Sequence, residues 1–397
     1  MRFAAALSTN PSLAEACTEA ALAARQQLEG DRVDLCVVFV AANYPEPERS
    51  GVLLADAVDP RCLVGCTGGG ILGAGREIEG RPAVSVVLAH LPGVTLHAAH
   101  WTDADLPSAD APPSAWSEGL GMAAAEAKGI LVLPEPFSCA ADKLLAGLDY
   151  AYPGVPKIGG IASGSRQPGG HVLFLGRQAH HGGAVLLGFS GRVVLDTVVA
   201  QGCRPFGKPG RITQAENHYL VAVDGKPALA FLHEQLQSLS PADQELVRGS
   251  PVFLGIGADP FAGQPPAAGE FLIRNLLGYD KKTGMVTVGE MLSVGRIVQF
   301  HLRSAAASSE DLRQMLTRRL DAQPGTSWPR GALLFSCLGR GEHLYGEPDH
   351  DSRLFFDLAG QVALGGFFCN GEIGPVAGTT YLHGYTSSFG IFREPAG

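Results

Sequence analysis

A chain of 397 residues that is 46% hydrophobic and 17% charged carries enough apolar material for two or three cored domains, which excludes a disordered or fibrous protein. The net charge of −9, with no clustered run of Lys and Arg, argues against the phosphate-backbone chemistry of nucleic-acid binding. The eight cysteines are scattered, several inside apolar stretches where a thiol behaves as a small hydrophobe, and this usage points to a reducing, cytoplasmic compartment.

The apolar opening of the chain stops at Ser8-Thr9-Asn10-Pro11, short of a signal-peptide core, and no run reaches membrane-spanning length, so no membrane partner is expected. Residues 2–7 read as a strand. Ser12 and Glu15 stand at capping-box spacing and open a helix that ends near Gly30, with Leu13, Ala16, Cys17, Ala20, Ala24 and Leu28 on one face. Residues 34–40 form a buried strand, 52–58 a short helix, 63–66 a strand that runs into a glycine turn, and 83–88 the return. The stretch 103–117, rich in Ala, Pro, Asp and Ser, reads as a surface loop.

The order strand, helix, strand, strand then recurs over 130–133, 138–150, 157–160 and 171–175, and again over 332–336, 351–358, 362–368 and 380–389. Leu35, Leu131 and Leu333 start the three units, and Val64, Ile158 and Leu364 precede their glycine turns at nearly even spacing, which points to duplication of a βαββ unit. An unrelated strand-helix-strand unit also takes about thirty residues, so that alternative stays open. Between the second and third units come a strand over 191–200, a Gly/Pro-rich loop over 201–211, a helix over 228–239, and strands at 252–256, 271–277, 285–288 and 296–302 that suggest a mixed or antiparallel sheet. A last helix starts at Ser308 and Asp311, reaches Leu320 and is broken by Pro324-Gly325. The expected fold is α/β (α+β), two layered modules with mixed sheets built from βαββ units, divided at Asp224-Gly225 into 1–224 and 225–397.

Gly68-Gly69-Gly70-Ile71-Leu72-Gly73 matches a dinucleotide fingerprint, but Gly75, Gly80 and Pro82 leave no room for the helix that fingerprint must open. Lys208 and Lys226 precede prolines and complete no phosphate loop, so no cofactor is expected. Glu342, His343, Glu347, Asp349, His350 and Asp351 lack a fixed ligand spacing and read as an exposed acidic loop leading into a helix. His180-His181 reads as a hairpin tip, and Cys62 with Cys66 lacks the second pair a zinc site needs, so no metal is expected.

Cys337 with Gly339-Arg340-Gly341, then Gly366-Phe367-Phe368, then Asn370-Gly371-Glu372-Ile373-Gly374, form a long ordered string that resembles the C-terminal module of the FIST family. Gly65-Cys66-Thr67, Gly69-Gly70, Gly75-Arg76-Glu77, Gln201-Gly202-Cys203-Arg204-Pro205 and Asp224-Gly225-Lys226-Pro227-Ala228 extend the resemblance over nearly the whole chain. It implies an intracellular sensory domain for a small ligand, amino acids among those suggested, related to the domains that accompany F-box segments in eukaryotes. The ligand-binding candidates are Cys66, Thr67, Gly69, Gly70, Arg76, Glu77, Cys203, Arg204, Cys337, Arg340, Asn370 and Glu372.

For a zwitterionic ligand, Arg204 or Arg340 suits the carboxylate and Glu372 or Glu77 the amine, although the same charges could instead pair with one another. Arg340 and Glu372 are expected to line one cavity with Cys337, because parallel strands end together. Cys337 and Cys369 are expected to be reduced and at least partly buried. Two other function classes remain: a cysteine-dependent enzyme acting on a small amide or amino-acid derivative through Cys337 or Cys66 with His343, and a protein-interaction adaptor. No kinase, cyclase or DNA-binding segment is evident, so a sensor of this kind would signal through a separate protein partner.

Overall fold

Three times the chain lays down the same order of elements, because three times an apolar strand, an amphipathic helix and a glycine-bearing strand follow one another. The computed structural model describes residues 1–108, 110–259, 263–267, 269–321 and 326–395. The first repeat runs β1 (Arg2–Ser8), α1 (Leu13–Gln27), β2 (Leu35–Ala41), α2 (Ser50–Val58), β3 (Cys62–Gly68), β4 (Gly70–Gly73), β5 (Arg76–Glu79) and β6 (Val84–His90). The second runs β7 (Val94–Trp101), α3 (Pro113–Leu120), β8 (Ala127–Pro134), α4 (Ala141–Ala151), β9 (Lys157–Gly160), β10 (Leu173–Leu175), β11 (Gln178–His180) and β12 (Ala184–Gly191).

The third opens with β13 (Val194–Ala200) and is interrupted by an insertion: β14 (Cys203–Glu216), β15 (Tyr219–Val223), β16 (Lys226–Pro227), α5 (Ala228–Gln237), α6 (Pro241–Gly249), β17 (Val252–Gly257), β18 (Phe271–Tyr279), β19 (Val286–Val288) and β20 (Ile297–Arg303). It resumes with α7 (Ala305–Asp321), β21 (Gly331–Cys337), α8 (Glu342–Tyr345), α9 (His350–Ala359), β22 (Ala363–Cys369), β23 (Glu372–Val376), β24 (Thr379–His383) and β25 (Ser387–Arg393). Two compact units result: Met1–Val199 with Arg313–Gly397, and Ala200–Leu312.

The first unit holds three six-stranded sheets of matching order, β1-β6-β2-β3-β10-β11, β7-β12-β8-β9-β23-β24 and β13-β25-β21-β22-β4-β5. In each, the two central strands of a repeat pair in parallel, as β2 with β3, β8 with β9 and β21 with β22. The outer hairpin of each sheet is supplied by another repeat, so β4–β5 completes the third sheet, β10–β11 the first and β23–β24 the second. The duplication therefore holds, and each repeat is a βαββ frame plus one hairpin lent elsewhere. The strand that returns in the second repeat is β12, not the expected 171–175 segment, and 380–389 divides into β24 and β25.

Register is set by glycines at one shared position. A Cβ on Gly65, Gly159 or Gly366 would stand 1.9, 1.8 or 1.8 Å from the carbonyl oxygen of Val38, Val132 or Leu334, its partner in the parallel ladder. Counting back one residue makes Val37, rather than Leu35, the equivalent of Leu131 and Leu333, and Gly365, rather than Leu364, the equivalent of Val64 and Ile158. All three sheets contribute to one core, where Phe39 stacks on Phe367 at 5.0 Å and both meet Phe335 edge-on. Helix α1 lies flush on β1 and β6 through Ala16, Ala20 and Ala24, and Ser12 caps it by accepting the Glu15 amide at 3.5 Å.

In the second unit, β14, β20, β17, β18, β19 and β15 pair antiparallel in turn, and β15 pairs back to β14, which closes a barrel around Phe206, Leu220, Val223 and Phe300. The expected 201–211 loop is mostly strand, since an irregularity between Phe206 and Gly210 absorbs Gly207 and Pro209 where no ladder amide is needed. Asp224-Gly225, the expected domain boundary, is the turn between β15 and β16 inside this unit. The expected 103–117 loop gives way to α3, which buries Trp116 against Trp101. His180 ends β11 rather than sitting at a hairpin tip, and Pro324-Gly325 lies outside the described residues. Among the described residues no helix is long and apolar enough to cross a membrane.

Candidate functional site

The third sheet gathers most of the chemistry at the C-terminal ends of β21 and β22. Side chains alternate across a strand, so Ser336 and Cys337 face opposite ways and build two different environments.

On the side of Ser336, α9 begins with Asp351 buried against the sheet. Its Oδ2 accepts hydrogen bonds from Ser336 Oγ at 3.2 Å, Arg340 Nε at 2.8 Å and the hydroxyl of Ser387, the register partner of Ser336. Its Oδ1 accepts from Arg340 Nη2 at 3.1 Å and lies 3.0 Å from His350 Nδ1. Arg340 is wholly buried and also donates to the Tyr345 hydroxyl and, at 3.3 Å, to the Tyr385 carbonyl, while Tyr345 stacks on His350. Burial alone would raise the Asp351 carboxyl, but the Arg340 charge and the converging donors hold it well below the usual carboxylate range.

Glu77 enters this cluster from β5 of the lent hairpin. Its Oε1 accepts the Ser352 amide at 2.8 Å in the first turn of α9, and its own amide donates to Asp349 Oδ1 at 2.6 Å. Burial, then the nearby Asp351 charge, push its carboxyl up to about 8. Its Oε2 is buried and among the described residues meets no hydrogen-bond partner in good geometry, although the Ser352 hydroxyl, likewise unmet, is close enough to favour its charged form.

On the other side, Cys337 of β21 and Cys369 of β22 are register partners, neither in a disulfide. The Cys369 thiol donates to Glu372 Oε1 at 3.3 Å and approaches the Ser336 carbonyl at 3.4 Å, while Glu372 Oε2 accepts the Thr386 amide at 3.0 Å. Burial pushes the Cys369 thiol far up, and Glu372 adds to it. Cys369 is buried and Cys337 half-buried, in line with the sequence expectation.

Arg340 and Glu372 thus stand on opposite faces instead of lining one cavity with Cys337. The reason is the hairpin loan: Glu372 opens β23, which leaves for the second sheet and pairs with Gly160 of β9. The bracing alternative is realised with a different partner, since Arg340 meets Asp351.

The other candidates divide by location. Cys66 is buried in β3, where desolvation pushes its thiol well above the ordinary value, which disfavours it as a nucleophile. The Thr67 hydroxyl accepts the Val172 amide at 3.0 Å. Gly69 donates its amide to Ser163 Oγ at 2.8 Å, and a Cβ there would meet Leu338 at 2.7 Å. A Cβ on Gly70 would meet the Phe368 ring at 2.7 Å. These glycines are strand and junction residues where repeats touch, not an open turn. Arg76, Asn370 and His343 are exposed, the last in α8. Cys203 and Arg204 belong to β14 of the barrel, where Arg204 pairs with Asp243.

Sequence reasoning left out Asp351 as a site residue because it closes a run of polar residues that reads as exposed, whereas it is 1% exposed. It also missed Glu135 and His171, both fully buried and joined at 2.9 Å. Glu135 Oε2 takes the Phe137 amide and the Ser138 hydroxyl, and His171 Nε2 takes the Ser165 amide, so this pair ties loops together with its polar atoms engaged. Among the described residues no group of three or more His, Cys, Asp or Glu is placed to hold a metal ion.

Residues 34–226 match the FIST N domain and residues 228–375 the FIST C domain. A Mycobacterium tuberculosis protein described as uncharacterized is 37% identical over 99% of this chain and 100% of its own length. A Mycobacterium bovis protein, also described as uncharacterized, is 35% identical over 99% of each chain. The two family matches meet beside β16, inside the barrel unit.

Proposed function

Because the chain belongs to the FIST family, whose domains are sensory and signal-transduction modules, we propose that it senses a small amine-bearing ligand of the amino-acid class beside Glu77. The observation that supports this reading is the buried Oε2 of Glu77, which among the described residues has only the neighbouring Ser352 hydroxyl to turn to, within a cluster that otherwise satisfies its charges. A buried carboxyl oxygen left unpaired is costly, and an ammonium group supplies both the donor and the opposite charge. Such a ligand would displace the proton that burial and Asp351 keep on Glu77. Arg340 is engaged with Asp351, and Arg76, exposed and next to Glu77 in β5, points to the other side of that strand, so neither is assigned to the ligand's carboxylate. Output would pass to a separate protein.

A thermal-shift screen of amino acids and small amines at neutral pH tests this. A ligand at one hundred times its dissociation constant adds about 2.7 kcal/mol, a clear rise in Tm. Glu77→Gln keeps an acceptor for the Ser352 amide, so it should fold and lose the shift. A screen with no shift from any amine, or a Glu77→Gln protein that keeps the shift, overturns the reading.

A further inference from the structure

We propose that Cys337 is a site of thiol–disulfide exchange with low-molecular-weight disulfides of the glutathione type, and that Cys369 resolves the adduct into a Cys337–Cys369 disulfide. The two residues are direct partners in the parallel ladder of β21 and β22. Neighbouring strands lie about 4.8 Å apart, inside the Cα separations that a disulfide tolerates. Neither thiol is in a disulfide in the resting structure.

The two thiols are built for different roles. Cys337 is half-buried, so a small disulfide can reach it, and its sulfur accepts the Gly339 amide at 3.4 Å, a contact that favours the thiolate. Cys369 is buried and cannot be the point of entry. Burial disfavours its thiolate as it does that of Cys66, but its S–H points at Glu372 Oε1 at 3.3 Å, so a carboxylate stands ready to take the proton when this thiol must attack. The equivalent register position in the first sheet pairs Ala41 with Gly68, so the thiol pair is not a by-product of the repeat.

The Cys337 thiol releases its proton to water, and the thiolate attacks one sulfur of the small disulfide, whose S–S bond breaks to release the first small thiolate. Cys369 then passes its proton to Glu372, attacks the Cys337 sulfur, breaks the mixed S–S bond and expels the second small thiolate. Two protein thiols are oxidised to one disulfide while the small disulfide is reduced to two thiols. An accessible attacking thiol and a second, resolving cysteine are the usual division of labour in such exchange.

The test is incubation of the full chain with oxidised glutathione, followed by acid quenching, alkylation after denaturation and peptide mapping without reductant. The wild type is expected to yield a peptide bridged between Cys337 and Cys369. Cys369→Ser should stop at a stable glutathione adduct on Cys337, and Cys337→Ser should leave Cys369 recovered as the alkylated thiol. Glu372→Gln should form the adduct at the wild-type rate but resolve it at least about tenfold more slowly, a split that a merely structural role would not produce. Wild-type protein that keeps Cys337 unmodified, or that accumulates the Cys337 adduct with Cys369 still a thiol, overturns the proposal. So does bridging that survives in Cys337→Ser through another cysteine.

Discussion

The first and third sheets share strand order, a parallel central pair and a crowded glycine, yet their strand ends differ completely. Where the first places Ala41 opposite Gly68, the third places Cys337 opposite Cys369. Where the first ties its borrowed hairpin to α2 through an exposed pair, Arg177 with Asp56, the third ties its own through the buried Glu77 and the amide of Ser352. Three repeats thus provide a scaffold indifferent to chemistry, and the candidate site lies where one repeat departs from its sibling. Family likeness alone, spread over nearly the whole chain, would not have separated these two contributions.

The sharpest way to break the comparison is to add one methyl group at the shared position. Gly65→Ala, Gly159→Ala and Gly366→Ala each drive a Cβ into a backbone carbonyl that cannot rotate away, and each should cost on the order of 5 kcal/mol, enough to abolish soluble protein. Full tolerance at any one of the three would show that the positions are not equivalent. Charge removal comes next. Arg340→Met leaves Asp351 buried without its cation and should lose about 3–5 kcal/mol in chemical denaturation. The exposed counterpart, Arg177→Met, should lose less than about 1 kcal/mol. Similar losses at both would erase the contrast between the two sheets.

The remaining effects are pH-dependent and oppose each other. Glu77 keeps its proton to about 8 when folded, against 4.5 as the ordinary value, so its contribution is full at low pH and is lost as pH rises through that window. Glu77→Gln should flatten this decline between pH 4.5 and about 8, read by tryptophan fluorescence, since Trp101, Trp116 and Trp328 all lie in the three-repeat unit. In the barrel, burial pushes His301 down to about 4 from 6.5, so its contribution is full above 6.5 and is lost as pH falls toward 4. Hydrogen-exchange protection in β17 and β20, corrected for the intrinsic rate at each pH, should fall across that acid window, and His301→Gln should remove the change. Protection that stays constant between those pH values would argue that His301 does not titrate with folding.

Local pattern was enough for much of the fold. Ser12 with Glu15, the alanine face of α1 and the βαββ order are visible because caps and periodicity act within a few residues. The sequence misled where the deciding contact is distant. Leu35 looks as good an anchor as Val37 until Gly65 fixes the register against Val38. Gly68, Gly69 and Gly70 look like an open turn, but their missing side chains make room for Phe367, Leu338 and Phe368 from the far end of the chain. Asp351 looks exposed beside Glu347 and Asp349 because nothing local announces that Arg340 folds back over it. The proximity of Glu77 to α9 depends on a hairpin crossing from one repeat to another, and no spacing within β5 encodes that.

The hairpin loan also governs the order in which the chain can be finished during synthesis. Strands β4 and β5 emerge early, but their partner β22 is among the last segments made, so the pair must wait beside an incomplete sheet. The first sheet can close once β10 and β11 appear, whereas the second needs β23 and β24 from the end of the chain. Contacts of such long sequence separation are slow to form and leave strand edges exposed meanwhile. A ribosome-bound chain stalled before β22 should therefore carry one completed sheet, one lacking its outer hairpin, and a hairpin sensitive to protease, and release of the last segments should protect all three together.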